Sequence, residues 1–177
     1  MLLASAVANC GSAPASAQSG ADKVVLVRHA EYGDGPNDEF GPSLSEPGRR
    51  RAQALAAMMQ GAGVTAILTS RYRRTRETAQ PLATAIGVAP LVIPDDDVGR
   101  HVEAHVQAVR RGSGSVLIVG HSDTIPIIIR ALGGPRLGTL CADVFDRMFT
   151  LVSDRGAMTL TRSHYGEPSQ RDGPNCP

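Results

Sequence analysis

The stretch Lys23-Val24-Val25-Leu26-Val27-Arg28-His29-Ala30-Glu31 governs the reading of this chain. A short, continuous run of β-branched and aliphatic residues suits a strand buried on both faces. The run stops abruptly at an arginine and a histidine. The same pattern returns later, where Val116-Leu117-Ile118-Val119 runs into Gly120-His121-Ser122-Asp123. In open α/β sheets, ligands gather beyond the carboxyl ends of the strands. If the two strands are neighbours, His29 and His121 stand together at such an edge.

Outward from these strands, helical and extended patterns alternate. Ser45 reads as an N-cap with Pro47 tolerated in the first turn, and Ala52, Leu55, Ala56 and Met59 fall on one helical face. Gly61 and Gly63 end that helix, and residues 64–68 read as a second strand. A helix is predicted over 72–86 despite Pro81, stopped by Gly87, and a third strand over 88–93. A helix over 98–110 follows, then the 116–119 strand, then a helix over 124–132 ended by Gly133 and Gly134. Residues 149–152 and 158–161 read as two last strands around a turn. This order predicts an α/β fold, a three-layer α/β/α sandwich with a largely parallel central sheet.

The chain has 177 residues, 18 basic against 17 acidic, which fits one domain and argues against a general nucleic-acid binder. No run approaches the ~20 apolar residues of a membrane span. Residues 1–20 are apolar, then small and polar, and resemble the later part of a secretory signal with a cleavage site after Ala17. The expected division is a leader over 1–20, a domain over 21–163 and a flexible tail over 164–177, and the expected location is periplasmic or extracellular rather than cytoplasmic. Cys10 leaves with such a leader, so Cys141 and Cys176 are the pair able to form a disulfide; a buried thiol and a tail thiol are the other reading.

A third element follows the second strand: Ser70, Arg71, Tyr72, Arg73, Arg74, Thr75, Arg76. One helical face cannot carry all four arginines, but one of them can point back toward the strand ends, where a helix N-terminus also favours anions. With these residues in view the chain resembles the histidine phosphatase superfamily, also called phosphoglycerate-mutase-like. The carriers are Leu26-Val27-Arg28-His29-Ala30-Glu31; Leu44-Ser45-Glu46-Pro47-Gly48-Arg49-Arg50-Arg51-Ala52; Ser70, Arg74, Thr78 and Ala79; and Val119-Gly120-His121-Ser122. Four blocks in family order span about residues 23–133. Ala30 replaces the commoner glycine, Arg71 stands where many members have proline, and Asp123 where many have asparagine.

The resemblance implies a phosphomonoester hydrolase of the small phosphatase branch that needs no metal or other cofactor and acts on a small phosphorylated substrate. It implies that His29 is the nucleophile and forms a phosphohistidine, that Arg28 and Arg74 grip the phosphate, and that His121 binds the phosphoryl oxygens. Alternatives are a phosphohistidine protein phosphatase, a phosphoglycerate mutase, or an inactive phosphate-binding module. The planar guanidinium forks of the arginines suit a dianion, and their charge favours neutral imidazole at His29. A leaving-group acid is expected from Asp123, from Asp95, Asp96 or Asp97, or from Glu31, with Asp123 preferred. Asp123 also stands where a helix cap is needed, and Asp95–Asp97 read most simply as a polar loop and cap. His101 and His105, four apart on a predicted helix, have the spacing of a metal pair but no third ligand, and read as a solvated face.

Overall fold

The computed structural model describes residues 20–36, 38–94, 96–154 and 157–169. Six strands form one sheet: β1 (Lys23–Arg28), β2 (Val64–Thr69), β3 (Leu91–Val92), β4 (Ser115–Gly120), β5 (Arg147–Asp154) and β6 (Ala157–His164). Four helices join them: α1 (Glu46–Met59), α2 (Arg73–Ile86), α3 (Val98–Arg111) and α4 (Thr124–Ala131). The sheet order is β3-β2-β4-β1-β5-β6, and the first four of these are parallel to one another. β5 runs antiparallel to β1, and β6 closes that edge as a hairpin.

Alternation along β1 divides the core into two layers, because successive side chains face opposite sides of a sheet. Val24 and Leu26 join Val116 and Ile118 under α3 and α4, with Val102, Val109, Ile125 and Ile129. Val25 and Val27 join Leu117 and Val119 under α1 and α2, with Leu55, Met59, Leu82 and Ala83. The expected three layers follow from that split. Both central strands, β1 and β4, are buried along nearly their whole length.

Local chemistry sets the helix ends. Ser45 Oγ accepts from Gly48 N at 3.3 Å and caps α1; Gly87 ends α2 with φ +70. Gly48 is required by close approach, since a β-carbon there would lie 1.9 Å from the carbonyl oxygen of Glu31. The third strand is shorter than its apolar run predicts. It pairs over Leu91 and Val92 only, at the sheet edge, with Pro90 and Pro94 on either side unable to donate to a ladder.

The packed chain extends past residue 163. β6 includes His164, Tyr165 is 2% exposed, and Ser169 Oγ accepts from the backbone N–H groups of Phe145 and Asp146. His164, Tyr165 and Ser169 therefore belong to the packed chain and not to a flexible tail. Residues 1–19, Asp95 and Cys176 lie outside the described residues. Cys141 is disulfide-bonded. Among the described residues no helix is long and apolar enough to cross a membrane.

Candidate active site

Register brings the two histidines together. Arg28 is paired with Gly120 across β1 and β4, so His29 and His121 are the next residues on each strand. His29 N donates to Gly120 O at 2.9 Å, and the two ring centroids are 5.3 Å apart. β2, paired on the other side of β4, ends at Thr69 and delivers Ser70 and then α2 to the same edge. Arg74 sits in the first turn of α2. Arg28, His29, Arg74, His121 and Asp123 all line one cleft of about 530 Å³, with Tyr32 and Tyr72 as aromatic walls.

Hydrogen bonding fixes the tautomer of each histidine. His29 Nδ1 is 2.9 Å from the carbonyl oxygen of Ala30. A carbonyl only accepts, so Nδ1 carries the hydrogen and Nε2 keeps its lone pair. Burial pushes the ring down to about 2, and the charges of His121, Arg28 and Arg74 push the same way against the Ala30 hydrogen bond. His29 is a neutral imidazole with one reactive nitrogen.

His121 is held in the opposite sense. Thr75 Oγ1 donates to backbone carbonyls, so Ser70 Oγ donates to Thr75 and accepts from His121 Nε2 at 2.9 Å. The other ring nitrogen, Nδ1, accepts from Arg74 Nη2 at 3.4 Å. Burial, then the charge of Arg74, lowers His121 to about 4.

The two arginines are presented differently. Arg28 Nη1 donates to the carbonyls of Cys141, Ala142 and Val144, and the guanidinium carbon lies 4.1 Å from the ring centroid of Phe145. One nitrogen of the fork is thereby committed to the 141–144 loop, and Nε is buried without a partner. Burial lowers the Arg28 pKa from its ordinary value. Arg74 stacks on Tyr72 at 4.3 Å and on Tyr32 at 5.7 Å. Its neighbours go elsewhere: Arg73 pairs with Asp38 at 2.6 Å, and Arg76 lies against Phe40. Arg71 lies against Tyr72 and does not line the cleft.

The acid candidates separate. Glu31 gives both carboxylate oxygens to Arg51, which is 4% exposed, and does not line the cleft. Asp97 caps α3 by accepting from Arg100 N at 2.8 Å, and Asp96 pairs with the Arg100 side chain. Asp123 lines the cleft and also caps α4, accepting from Thr124 N at 2.8 Å.

His101 and His105 correct the sequence reading. They are 2% and 0% exposed, not a solvated face, because that face of α3 packs on the sheet together with Val102, Val106 and Val109. His101 lines the cleft. Among the described residues no group of three His, Cys, Asp or Glu is arranged to hold a metal. Sequence reasoning also missed Phe145 and the 141–144 loop, which carry no motif. It gives Tyr72 no role, although an aromatic beside the Arg74 turn was the available signal.

Comparison with known proteins bears on the family and the fold. Residues 24–97 match the model of the histidine phosphatase superfamily (branch 1). The fold is shared with the protein histidine phosphatase SixA, solved with tungstate, at TM-score 0.65 and 17% identity, covering 80% of this chain and 96% of that one. It is shared too with mycobacterial glucosyl-3-phosphoglycerate phosphatase, at TM-score 0.57 and 17% identity, covering 82% and 98%. PE-PGRS family protein PE_PGRS11 of Mycobacterium tuberculosis is 44% identical over 55 residues, which are 30% of this chain and only 9% of that relative's length.

Proposed function

We propose, from this chain's membership of the histidine phosphatase superfamily, that it hydrolyses phosphate monoesters through a phosphohistidine on His29. One observation carries the proposal: the Nδ1–H of His29 is tied to Ala30 O, which leaves the Nε2 lone pair in a cleft with two arginines and a second histidine.

A phosphate monoester brings close to two negative charges to this cleft. Arg28 and Arg74 neutralise and orient it, and fixed cations in a desolvated site stabilise the charge as it redistributes over the phosphoryl and leaving oxygens. His29 Nε2 attacks phosphorus, the bond to the leaving oxygen breaks, and the phosphoryl group rests on His29. Water then cleaves the N–P bond and frees phosphate. Two lower barriers replace one high one. His121 faces the oxygens of the transferred group from the other strand end.

A second reading, dephosphorylation of phosphohistidine on a protein, is favoured by the likeness to SixA over nearly the whole of that chain. Export also belongs to the proposal. It is supported by the disulfide at Cys141, since such bonds persist in oxidising compartments.

The test is turnover of p-nitrophenyl phosphate by the purified chain, with the phosphoenzyme trapped and the label mapped by mass spectrometry. Label on His29 and loss of turnover in His29→Ala are expected; label on His121 or a serine would overturn the assignment. A panel of phosphorylated metabolites and a phosphohistidine protein separates the two substrate classes. N-terminal sequencing of protein from cell fractions tests export, and an intact Met1 in the cytoplasm would overturn it.

A further inference from the structure

We propose that His101 is the acid that protonates the leaving group, a role that rests on the phosphatase reading and for which the sequence reading preferred Asp123. His101 lies in the first turn of α3, is 2% exposed, and forms part of the wall of the cleft that holds His29 and His121. Its Nδ1 is 2.8 Å from the carbonyl oxygen of Pro94. That nitrogen therefore carries a hydrogen in either protonation state, and Nε2 is the atom that gains and loses the proton.

The other ring nitrogen distinguishes His101 from His105. His105 Nε2 is sealed in the interior without a hydrogen-bond partner. His101 Nε2 also has no partner among the described residues, but it is not sealed. His101 lines the cleft, which is the opening this nitrogen is taken to face. An unpaired polar nitrogen in a buried ring is costly unless something arriving in the site pairs with it. The leaving oxygen of a phosphate ester is such a partner.

His105 supplies the backing. Its ring packs edge-on against His101 with centroids 4.4 Å apart, and its Nδ1–H donates to the His101 carbonyl at 2.9 Å. Burial lowers His105 to about 4, so it stands as a neutral ring behind the acid. Its partner's position is thus fixed from below by His105 and at one edge by Pro94.

The competing residues among those described have other bonds. Glu31 is paired with Arg51, and Asp97 is a cap outside the cleft. Asp123 lines the cleft, but it caps α4 and is solvent-exposed.

The proton balance closes. His29 Nε2 gives its electron pair to phosphorus, and the electron pair of the broken P–O bond goes to the leaving oxygen. That oxygen takes the proton from His101 Nε2 and departs as the alcohol. In the second step water attacks phosphorus, the N–P pair returns to His29, and the proton lost by water goes to His101 Nε2. Both histidines end as they began.

The test compares an alkyl phosphate, glycerol 1-phosphate, with p-nitrophenyl phosphate, whose leaving group needs little protonation, using the full chain. His101→Gln is expected to lower kcat on the alkyl ester roughly 10²–10⁴-fold more than on the aryl ester. His101→Glu, which keeps a transferable proton, is expected to recover part of the alkyl activity. Asp123→Asn is expected to change both substrates by the same factor. An equal loss on both esters in His101→Gln, or a selective alkyl loss in Asp123→Asn, would overturn the assignment. A measurement on the wild type needs no variant to fold: across a series of aryl and alkyl phosphates, kcat/KM is expected to depend weakly on leaving-group basicity. A steep dependence overturns the role of His101 and leaves the phosphatase reading standing. A wild type inert toward every ester overturns both.

Discussion

Arg28 rests on Phe145, its guanidinium carbon 4.1 Å from the ring centroid, while three backbone carbonyls of the same loop hold its Nη1. The arginine proposed to bind phosphate emerges from β1, but the loop before β5 decides where its charge is delivered. Phe145→Ala is expected to raise KM by about 2- to 30-fold, the range of a cation–π contact, with a smaller effect on kcat. Arg28→Lys is expected to lose more, because one ammonium cannot serve both the carbonyls and the anion. Steady-state kinetics on p-nitrophenyl phosphate check both; a Phe145→Ala effect confined to kcat would rule out this support.

The arginines of the α2 start differ in their destinations, and alanine substitution reads this directly. Arg74→Ala is expected to abolish measurable turnover. Arg73→Ala loses a half-exposed pair with Asp38 and contacts with Gly41 O and Phe40, and Arg76→Ala a contact with Phe40, all outside the cleft, so each is expected to stay within about threefold of wild type. A loss at Arg76 larger than that at Arg74 would show that the wrong arginine has been placed in the cleft.

His121 meets an incoming anion with a lone pair, since its hydrogen is given to Ser70. To donate to a phosphoryl oxygen the ring must take a proton at Nδ1. A bound dianion raises His121 from about 4, so phosphate binding at pH 7 is expected to consume protons. Calorimetry in buffers of different ionisation enthalpy measures the number; none taken up would mean that the arginines meet the anion without His121. Ser70→Ala releases the tautomer and is expected to cost about tenfold in kcat/KM, the upper value of one ordinary hydrogen bond.

Three buried histidines set the acid limit of the fold. His29, His105 and His121 are lowered to about 2, 4 and 4 from 6.5. Between those values and 6.5 the unfolded chain binds the extra protons, so stability is fully present above 6.5 and falls as pH drops below it. The slope is up to ~1.4 kcal/mol per pH unit for each histidine. Urea midpoints between pH 7.5 and 5 measure it, and His105→Asn is expected to make the decline shallower. An unchanged slope in that variant would exclude His105 from the linkage.

The strand-to-histidine junctions were legible because both signals are local: a buried apolar run and the polar residues directly after it. The pairing of Arg28 with Gly120 then had only to make the two runs adjacent. The role of α3 was not legible. Its spacing places His101 and His105 on one face, but whether that face meets solvent, the core or the cleft depends on where the helix is laid. Glu31 shows the same gap, since its partner Arg51 is fixed by how α1 docks over Gly48. The loop at 141–144 touches Arg28 through main-chain oxygens, which no side-chain pattern reports.

The carbonyls that hold Arg28 lie 113 to 116 residues further along the chain. A nascent polypeptide thus synthesises the proposed nucleophile, His29, early and the support for Arg28 late. Until the segment before β5 has emerged and folded, the first half of the chain has a histidine but no assembled phosphate pocket. A chain threaded unfolded across a membrane would stay silent toward the phosphate esters of the compartment where it was made.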